Sequence, residues 1–433
     1  MSESINEMIP PQVESATYSG CGTESGLISI DQALALILEK IQPLGTETLA
    51  LNTALNRYLA EDIFSTIQLP LFSQSAVDGY AINPTDSVEN HFEDVIQAHS
   101  QFTLIGEIRA GQSAELTLQA GQALRIFTGA EIPQGTMTVA RQEIVQIINA
   151  ESIEITEHLK IHADIRDAGE EITVGQLLAQ AGQQLSVGAI ASLSMAGVQQ
   201  VQVYQYPKIA VVITGDEVAK SSADFEAGKI FDANSPLIQA WFQQQNQKVD
   251  IFHVADTAEA VNSLLADLNQ KYDLILTTGG VSVGDYDFIR PVALDLGFQQ
   301  IFWKVKQKPG KPMLFAEFIR TDGSVCYLLG LPGNPAAVYV GMHIYTQTVL
   351  NALQGHRHIP NGFKATLTHD LKADARERIL RMSVSFAQTT LKVSSLSNQQ
   401  SHMLSNLMHA NALVRIPAGE KIHVGQIVDG FFI

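Results

Sequence analysis

The sequence predicts a multidomain α/β plus β protein, with a central doubly wound, mostly parallel α/β domain, a β domain ahead of it and a small β-barrel or sandwich behind it. Three observations carry this expectation. From Pro207 to about Gln354 strand, loop and helix alternate; from about Val95 to Ile161 short strand-like runs are separated by glycine and polar turns; from about Gly355 the chain returns to strands.

At the N-terminus, MSESINEMIPPQVESATYSGCGTESG has acidic residues where a signal peptide needs a basic segment, and it lacks a continuous apolar stretch. Residues 1–27 are therefore expected to be a flexible leader. Ser29 and Gln32 in SIDQALALILEKIQP have capping-box spacing, so a packing helix is predicted that stops before Pro43. The β region is read from GQALRIF, MTVARQEIVQII and SIEITEHLKI. In the α/β region KIAVVI leads to Thr214-Gly215-Asp216-Glu217, Asn234-Ser235-Pro236 opens a helix carrying Leu237, Ile238, Trp241 and Phe242, and Asp256-Thr257 opens another. DLILTT then empties into TTGGVSVGDYD, and VCYLLG into LPGNP and a further helix. The last strands are KATLTHDL, RILRMSVSF, TTLKVSS, ALVRIPA and IVDGFFI.

The 433 residues are 45% hydrophobic and 17% charged, enough for several packed cores, and length alone suggests about three domains. A formal charge of −18 opposes attraction to nucleic acid or to an anionic membrane surface, so neither is an expected partner. Cys21 and Cys326 are the two cysteines and lack metal-binding spacing, and no run of about 18 apolar residues occurs. A soluble, cytoplasmic protein is expected.

Three strand ends deliver unusual loops to one sheet edge: Thr214 to Glu217, Thr278 to Asp287, and Leu331-Pro332-Gly333-Asn334-Pro335. Ligands of such sheets collect beyond the carboxyl ends of the strands. Glycines at 279, 280, 284 and 333 let backbone N–H groups approach an anion closely, and a helix N-terminus adds partial positive charge. Neither a Walker lysine nor a GxGxxG fingerprint is present. Singly, Asp256, Asp285 and Asn334-Pro335 read first as helix caps. Capping does not explain why Glu217 and Asp287 accompany them. Carboxylates beside a phosphate loop repel the ligand unless a hard cation bridges the two, which points to Mg²⁺.

Opposite in sign is Trp303-Lys304-Val305-Lys306-Gln307-Lys308-Pro309-Gly310-Lys311-Pro312. Lys304 and Lys306 read equally as a solvated edge strand or as ligands. Lys308 and Lys311 flank a proline-glycine turn that directs two ammonium groups to one point, where an oxyanion is the natural guest.

TGDE, FDANS, TTGGVSVGDYD, KPGKP and GLPGNP occur in this order, preceded by SAVDGYAI (75–82), RIFTGA (125–130) and Arg166-Asp167-Ala168-Gly169-Glu170-Glu171. Together they closely resemble the molybdopterin molybdenumtransferase family of MoeA and the gephyrin E domain, over nearly the whole chain after Gly26. The resemblance implies insertion of molybdate into adenylylated molybdopterin with release of AMP. It also implies an elongated homodimer whose clefts draw on both subunits, and four domains. These are a discontinuous linking domain (28–65 and 165–206), an inserted β-barrel-like domain (66–164), a MogA-like α/β domain (207–355) and a C-terminal β-barrel (356–433).

Carried over position by position, Asp78, Thr128, Glu217, Asp256 and Asp287 match catalytic polar positions. Glu217, Asp287 and Glu171 are the implied Mg²⁺ carboxylates. Asp232, Asn234, Ser235, Thr278, Gly279, Gly280, Ser282, Gly284, Asp285, Pro332, Gly333, Asn334 and Pro335 match the molybdopterin and AMP segment. Lys304, Lys308, Lys311, Pro312, Arg381 and Ser401 match the molybdate pocket. Other molybdenum-cofactor biosynthesis proteins and acceptor apoenzymes are the implied partners. Three positions depart: Glu171 replaces the usual Asp, Ala337 a frequent Ser, and Val77 the customary Met. The alternatives are a molybdopterin adenylyltransferase, whose fold would end near the central domain, and a non-catalytic gephyrin-like scaffold.

Overall fold

A computed structural model describes residues 26–84, 95–215, 218–219, 229–282, 284, 287–357, 362–387 and 389–433. The described residues form two compact units, one from those up to residue 45 and from 205 to 433, the other from those between 46 and 204.

In the first unit a six-stranded sheet runs in the order Val249–Val254, Ile209–Thr214, Leu274–Thr278, Val325–Leu331, Leu314–Ile319, Gln299–Trp303. The first four strands are parallel and the last two are added antiparallel, so the sheet is mixed at one edge. Period-two alternation sends neighbouring residues to opposite faces. Ile209, Val211, Ile213, Leu274, Leu276 and Leu329 join one core with helices Ile30–Lys40, Asn234–Gln244 and Pro335–Gly341. Ala210, Val212, Ile275 and Leu328 join another with helices Ala258–Leu268 and Ile289–Asp295. This is the predicted doubly wound arrangement.

The Ser29 capping box forms, with Gln32 N donating to Ser29 Oγ (3.1 Å) and Ser29 N to Gln32 Oε1 (2.9 Å), and the helix ends at Lys40. Its buried face, Ile30, Ala33, Leu34 and Ile37, enters the α/β core. The resemblance groups this helix with residues 41–65. Its apolar stripe is covered within the first unit, and Thr46–Ala50 pairs antiparallel with Gln200–Tyr204 in the second.

The C-terminal strands close on themselves in the order Glu377–Ala387, Thr390–Ser395, Phe363–Leu367, Ile427–Phe432, Ala412–Ile416, and the last pairs back onto the first. Closure decides between the predicted barrel and sandwich, and Leu367, Met382, Val393, Val414 and Val428 fill the interior. The short strand Gln307–Lys308 adds to this barrel in parallel with Glu377–Arg378, which carries part of the lysine run onto the barrel wall.

The second unit centres on a six-stranded sheet ordered Thr138–Arg141, Gly79–Asn83, Gln122–Ile126, Gln101–Ile108, Ser152–Ile155, Val145–Asn149. It begins earlier than the expected Val95, because SAVDGYAI supplies a central strand whose residues Gly79–Ile82 are all buried. No helix among the described residues is long and apolar enough to cross a membrane.

Candidate active site

The carboxyl ends of the parallel strands interlock through backbone and short side chains. Gly279 N donates to Leu331 O (2.9 Å), Thr214 Oγ1 to Thr278 O (3.1 Å) and Asn234 Nδ2 to Gly333 O (2.9 Å). Gly279 has φ +86° and Gly280 φ +68°, values at which a side chain is strained. A methyl at Gly279 would lie 2.5 Å from Thr214 Oγ1, and one at Gly333 3.5 Å from Gly279 Cα. These loops therefore form a cradle floored by backbone, with Ser282 and Gly284 exposed at its rim. Asn234 Oδ1 and Thr278 Oγ1 are buried there without a hydrogen-bond partner among the described residues, two polar atoms suited to a ligand.

Asp287 turns back on the glycine loop: its Oδ2 accepts from Gly284 N (2.7 Å), and its own N–H donates to Gly284 O (3.1 Å). Asp232 is engaged by the helix it precedes, with Oδ1 accepting from Asn234 N (2.9 Å) and Ser235 N (3.0 Å) and Oδ2 from Ser235 Oγ. The cap of the next helix is Thr257, whose Oγ1 accepts from Ala260 N (3.3 Å), and not Asp256 as the residue type suggested. Asn334 takes the N-cap position before Pro335 without a side-chain hydrogen bond. Glu217 and Asp285 lie outside the described residues.

The lysine turn abuts this cradle. Gly310 has φ +87°, and a methyl there would lie 3.7 Å from both Ala337 Cβ and Pro332 Cγ. The buried methyl of Ala337 thus packs against the turn. Fully buried Gln307 braces the turn: its Nε2 donates to Gly310 O (3.1 Å), while its Oε1 accepts from Tyr345 Oη (2.5 Å). Lys308 Nζ pairs with Asp374 Oδ2 at 2.9 Å, and this hydrogen bond is the main cause of an Asp374 pKa below its ordinary value. Among the described residues the Lys311 ammonium has no ion-pair partner. Lys304 Nζ lies 3.9 Å over the Trp303 ring, and Pro312 leads to Met313, whose O accepts from Lys304 N (3.0 Å).

Ser401 reaches the same place through its backbone, since its O accepts from Ala336 N (3.1 Å). Arg381 is almost wholly buried and donates to Met403 O (2.6 Å), Asn398 O (3.0 Å) and Gln400 O (3.2 Å). It builds the loop that carries Ser401. Gln307 and Asp374 escaped the sequence reading as site residues, although Gln307 lies inside the quoted lysine run, and Thr214 was read there only as the start of its strand-end loop.

In the second unit Asp78 and Thr128 meet, although 50 residues separate them. Asp78 Oδ1 accepts from Thr128 N (2.9 Å) and Thr128 Oγ1 (2.8 Å). The backbone N–H first, then the hydroxyl, hold the Asp78 carboxyl below its ordinary 3.8. Because the folded pKa is depressed, this tie is present at neutral pH and is lost only as pH falls through that lowered value. Thr128→Val should raise the Asp78 pKa while the backbone bond keeps part of the shift; a carboxyl carbon NMR titration with no change would reject the tie. Glu171 is exposed in this unit, its N–H donating to Leu69 O (2.9 Å).

Among the described residues no group of three or more His, Cys, Asp and Glu gathers as a metal site. Mg²⁺ commonly takes one or two protein carboxylates and completes its shell with water and substrate phosphate. Asp287, placed against the glycine cradle, suits one such donor.

Three family models match in chain order: the MoeA N-terminal region (domain I and II) over residues 28–197, a "probable molybdopterin binding domain" over 210–352, and the MoeA C-terminal region (domain IV) over 364–430. The molybdopterin molybdenumtransferase of Staphylococcus epidermidis is 34% identical over 407 residues, covering 93% of this chain and 94% of that protein. The chain belongs to the molybdopterin molybdenumtransferase family. The family enzyme of Staphylococcus aureus is 32% identical over the same length. The solved structure of the molybdopterin biosynthesis moeA protein from Pyrococcus horikoshii OT3 matches with a TM-score of 0.77 at 25% identity, over 94% of this chain and 100% of that one. The chain is accordingly an enzyme of molybdenum cofactor biosynthesis, with an α/β domain matched by the molybdopterin-binding model and a closed C-terminal barrel.

Proposed function

We propose that the enzyme inserts molybdate into adenylylated molybdopterin and releases AMP in a Mg²⁺-dependent reaction. The observation that carries this reading is the contact of the glycine cradle with the lysine turn, Gly310 seated against Pro332 and Ala337. A phosphate site and an oxyanion site then share one wall, as a reaction between a phosphoanhydride and molybdate requires.

In this reading the N–H groups of Gly280 and Gly333 take the phosphates over the backbone that Gly279 fixes, and Asn234 Oδ1 and Thr278 Oγ1 face polar groups of the pterin nucleotide. Asp287 and Glu217 would hold Mg²⁺, with Glu171 a third candidate; when bound, the ion neutralises charge on the anhydride oxygens. Lys308 and Lys311 take the molybdate oxygens, with Lys304, Pro312 and the Ser401 loop beside them, and Arg381 supports that loop. Asp256 places the attacking oxygen. Asp78 and Thr128 join from a second subunit. The domain limits stay those of the resemblance: 28–65 with 165–206, 66–164, 207–355 and 356–433. A cytoplasmic location, and exchange of pterin and cofactor with other biosynthesis proteins and acceptor apoenzymes, belong to the same reading.

The test is incubation of purified protein with adenylylated molybdopterin, Mg²⁺ and molybdate, followed by assay of AMP and active cofactor. Consumption of ATP with unmodified molybdopterin, and no AMP from the adenylylated form, would assign the adenylyltransferase activity instead.

A homodimer is supported by apolar side chains in the second unit. Phe64 (54% exposed) stands directly across from Leu177 (39%), with Leu71 (58%) and Val174 (64%) also exposed in the segments on either side. Leaving these in water forgoes burial worth about 25 cal/mol per Å². Light scattering is expected to give about twice the 47.1 kDa of one chain, and Phe64→Asp with Leu177→Asp should give a monomer. A wild-type monomer that releases AMP would reject the shared cleft.

A further inference from the structure

One aromatic side chain links the two halves of the site, and neither the charge pattern nor the family motifs account for it. Trp303 ends the edge strand Gln299–Trp303, and its indole Nε1 donates to Val281 O at 2.8 Å, inside the loop Thr278-Gly279-Gly280-Val281-Ser282. Its ring carries two cations, with Arg290 Cζ 4.0 Å and Lys304 Nζ 3.9 Å from the centroid. Arg290 is fixed in turn, its Nε donating to Gln300 Oε1 (2.8 Å), and it lies on the helix Ile289–Asp295 that follows the loop. Lys304 adopts φ +75°, a left-handed backbone that non-glycine residues seldom hold. The indole therefore meets the loop at Val281, the helix after it at Arg290 and the lysine run at Lys304.

We propose that Trp303 is a positioning residue that holds the glycine cradle in register with the lysine turn. The inference rests on the reading of that loop as the phosphate cradle of the pterin nucleotide. Its logic is mechanical. Val281 is the residue after the two glycines whose conformational freedom the cradle needs, and a loop with two adjacent glycines pays a large entropy on ordering. A side-chain bond to Val281 O fixes the loop before substrate arrives, and the cation pair fixes the indole itself.

The experiment uses the full-length protein and two variants. Trp303→Phe keeps a ring for Arg290 and Lys304 and deletes the N–H; Trp303→Leu deletes both. Amide hydrogen exchange without ligand should quicken in residues 279–282 in both variants, with the strands at their wild-type rates. In Trp303→Phe the KM for adenylylated molybdopterin should rise about fivefold, the scale of one hydrogen bond, with kcat and the KM for molybdate within about twofold. Trp303→Leu should raise both KM values, because Lys304 then loses its seat. Unchanged exchange in Trp303→Phe overturns the proposal, and so does faster exchange with an unchanged pterin KM. Failure of the functional reading is separable, since it shows as absence of AMP release in the wild-type protein.

Discussion

Asp287→Asn is expected to lower AMP release by about 10²-fold or more while leaving the fold and the glycine loop intact, and Glu217→Gln to do the same. The structure makes Asp287 a clean test. Its Oδ2 accepts from Gly284 N–H, and asparagine keeps a carbonyl oxygen that accepts the same bond. The substitution therefore preserves the loop contact and removes only the charge. A residue that merely closes the loop would tolerate the change, whereas one that holds a cation against phosphate would not. Loss of one preorganised charge contact in a catalytic site typically costs 10² to 10³ in kcat. Raising Mg²⁺ should recover part of the loss, because the weakened site then fills by mass action. Full turnover in Asp287→Asn at ordinary Mg²⁺ would reduce this carboxylate to a loop brace. For Glu217, outside the described residues, the expectation rests on its place after the Thr214 strand end.

What the sequence made legible follows from local physics. KIAVVI, DLILTT and VCYLLG are apolar runs too short for helices, and all three form buried parallel strands. Glycines at the strand ends announced a cradle because no side chain fits where Gly279 meets Thr214 and Gly280 meets Ile289. Ser29 and Gln32 announced their helix because a capping box is local. Contacts made at long range left no such mark. Thr257 displaces Asp256 as cap by one position, which periodicity does not resolve. Asp374 meets Lys308 because a barrel strand binds Gln307–Lys308, and Arg381 turns to carbonyls of its own barrel loop. In the cases of Lys308 and Arg381 a charged residue that could face a ligand is engaged by a counter-charge or by backbone outside its own strand.

That same pairing sets the signs of the second large effect. Lys311→Glu is expected to weaken molybdate binding by about 2 to 5 kcal/mol, the scale for breaking a desolvated charge contact, while adenylylated molybdopterin binds within about twofold of normal. Lys311 is half-buried and has no ion pair among the described residues, so its whole charge is available to an oxyanion. The turn that carries it is rigid: Gln307 holds Gly310 O and Val305 N donates to Lys311 O at 2.9 Å, so little freedom remains to be lost on binding. High molybdate should partly restore Lys311→Ala, which deletes attraction, but not Lys311→Glu, which adds repulsion. Asp374→Asn should move the other way. Asp374 competes with molybdate for the Lys308 ammonium, and the pair is half-solvated, worth about 0.2 to 1 kcal/mol, so its removal should tighten molybdate binding by up to about fivefold. Asparagine can still accept from Arg376 N, now 3.2 Å from Asp374 Oδ1, so the barrel loop survives the change. Isothermal titration of the three variants with molybdate alone, and then with the pterin nucleotide, reads both signs. Native molybdate affinity in Lys311→Glu together with lost pterin binding would assign the lysine turn to the nucleotide and reverse the two halves of the site.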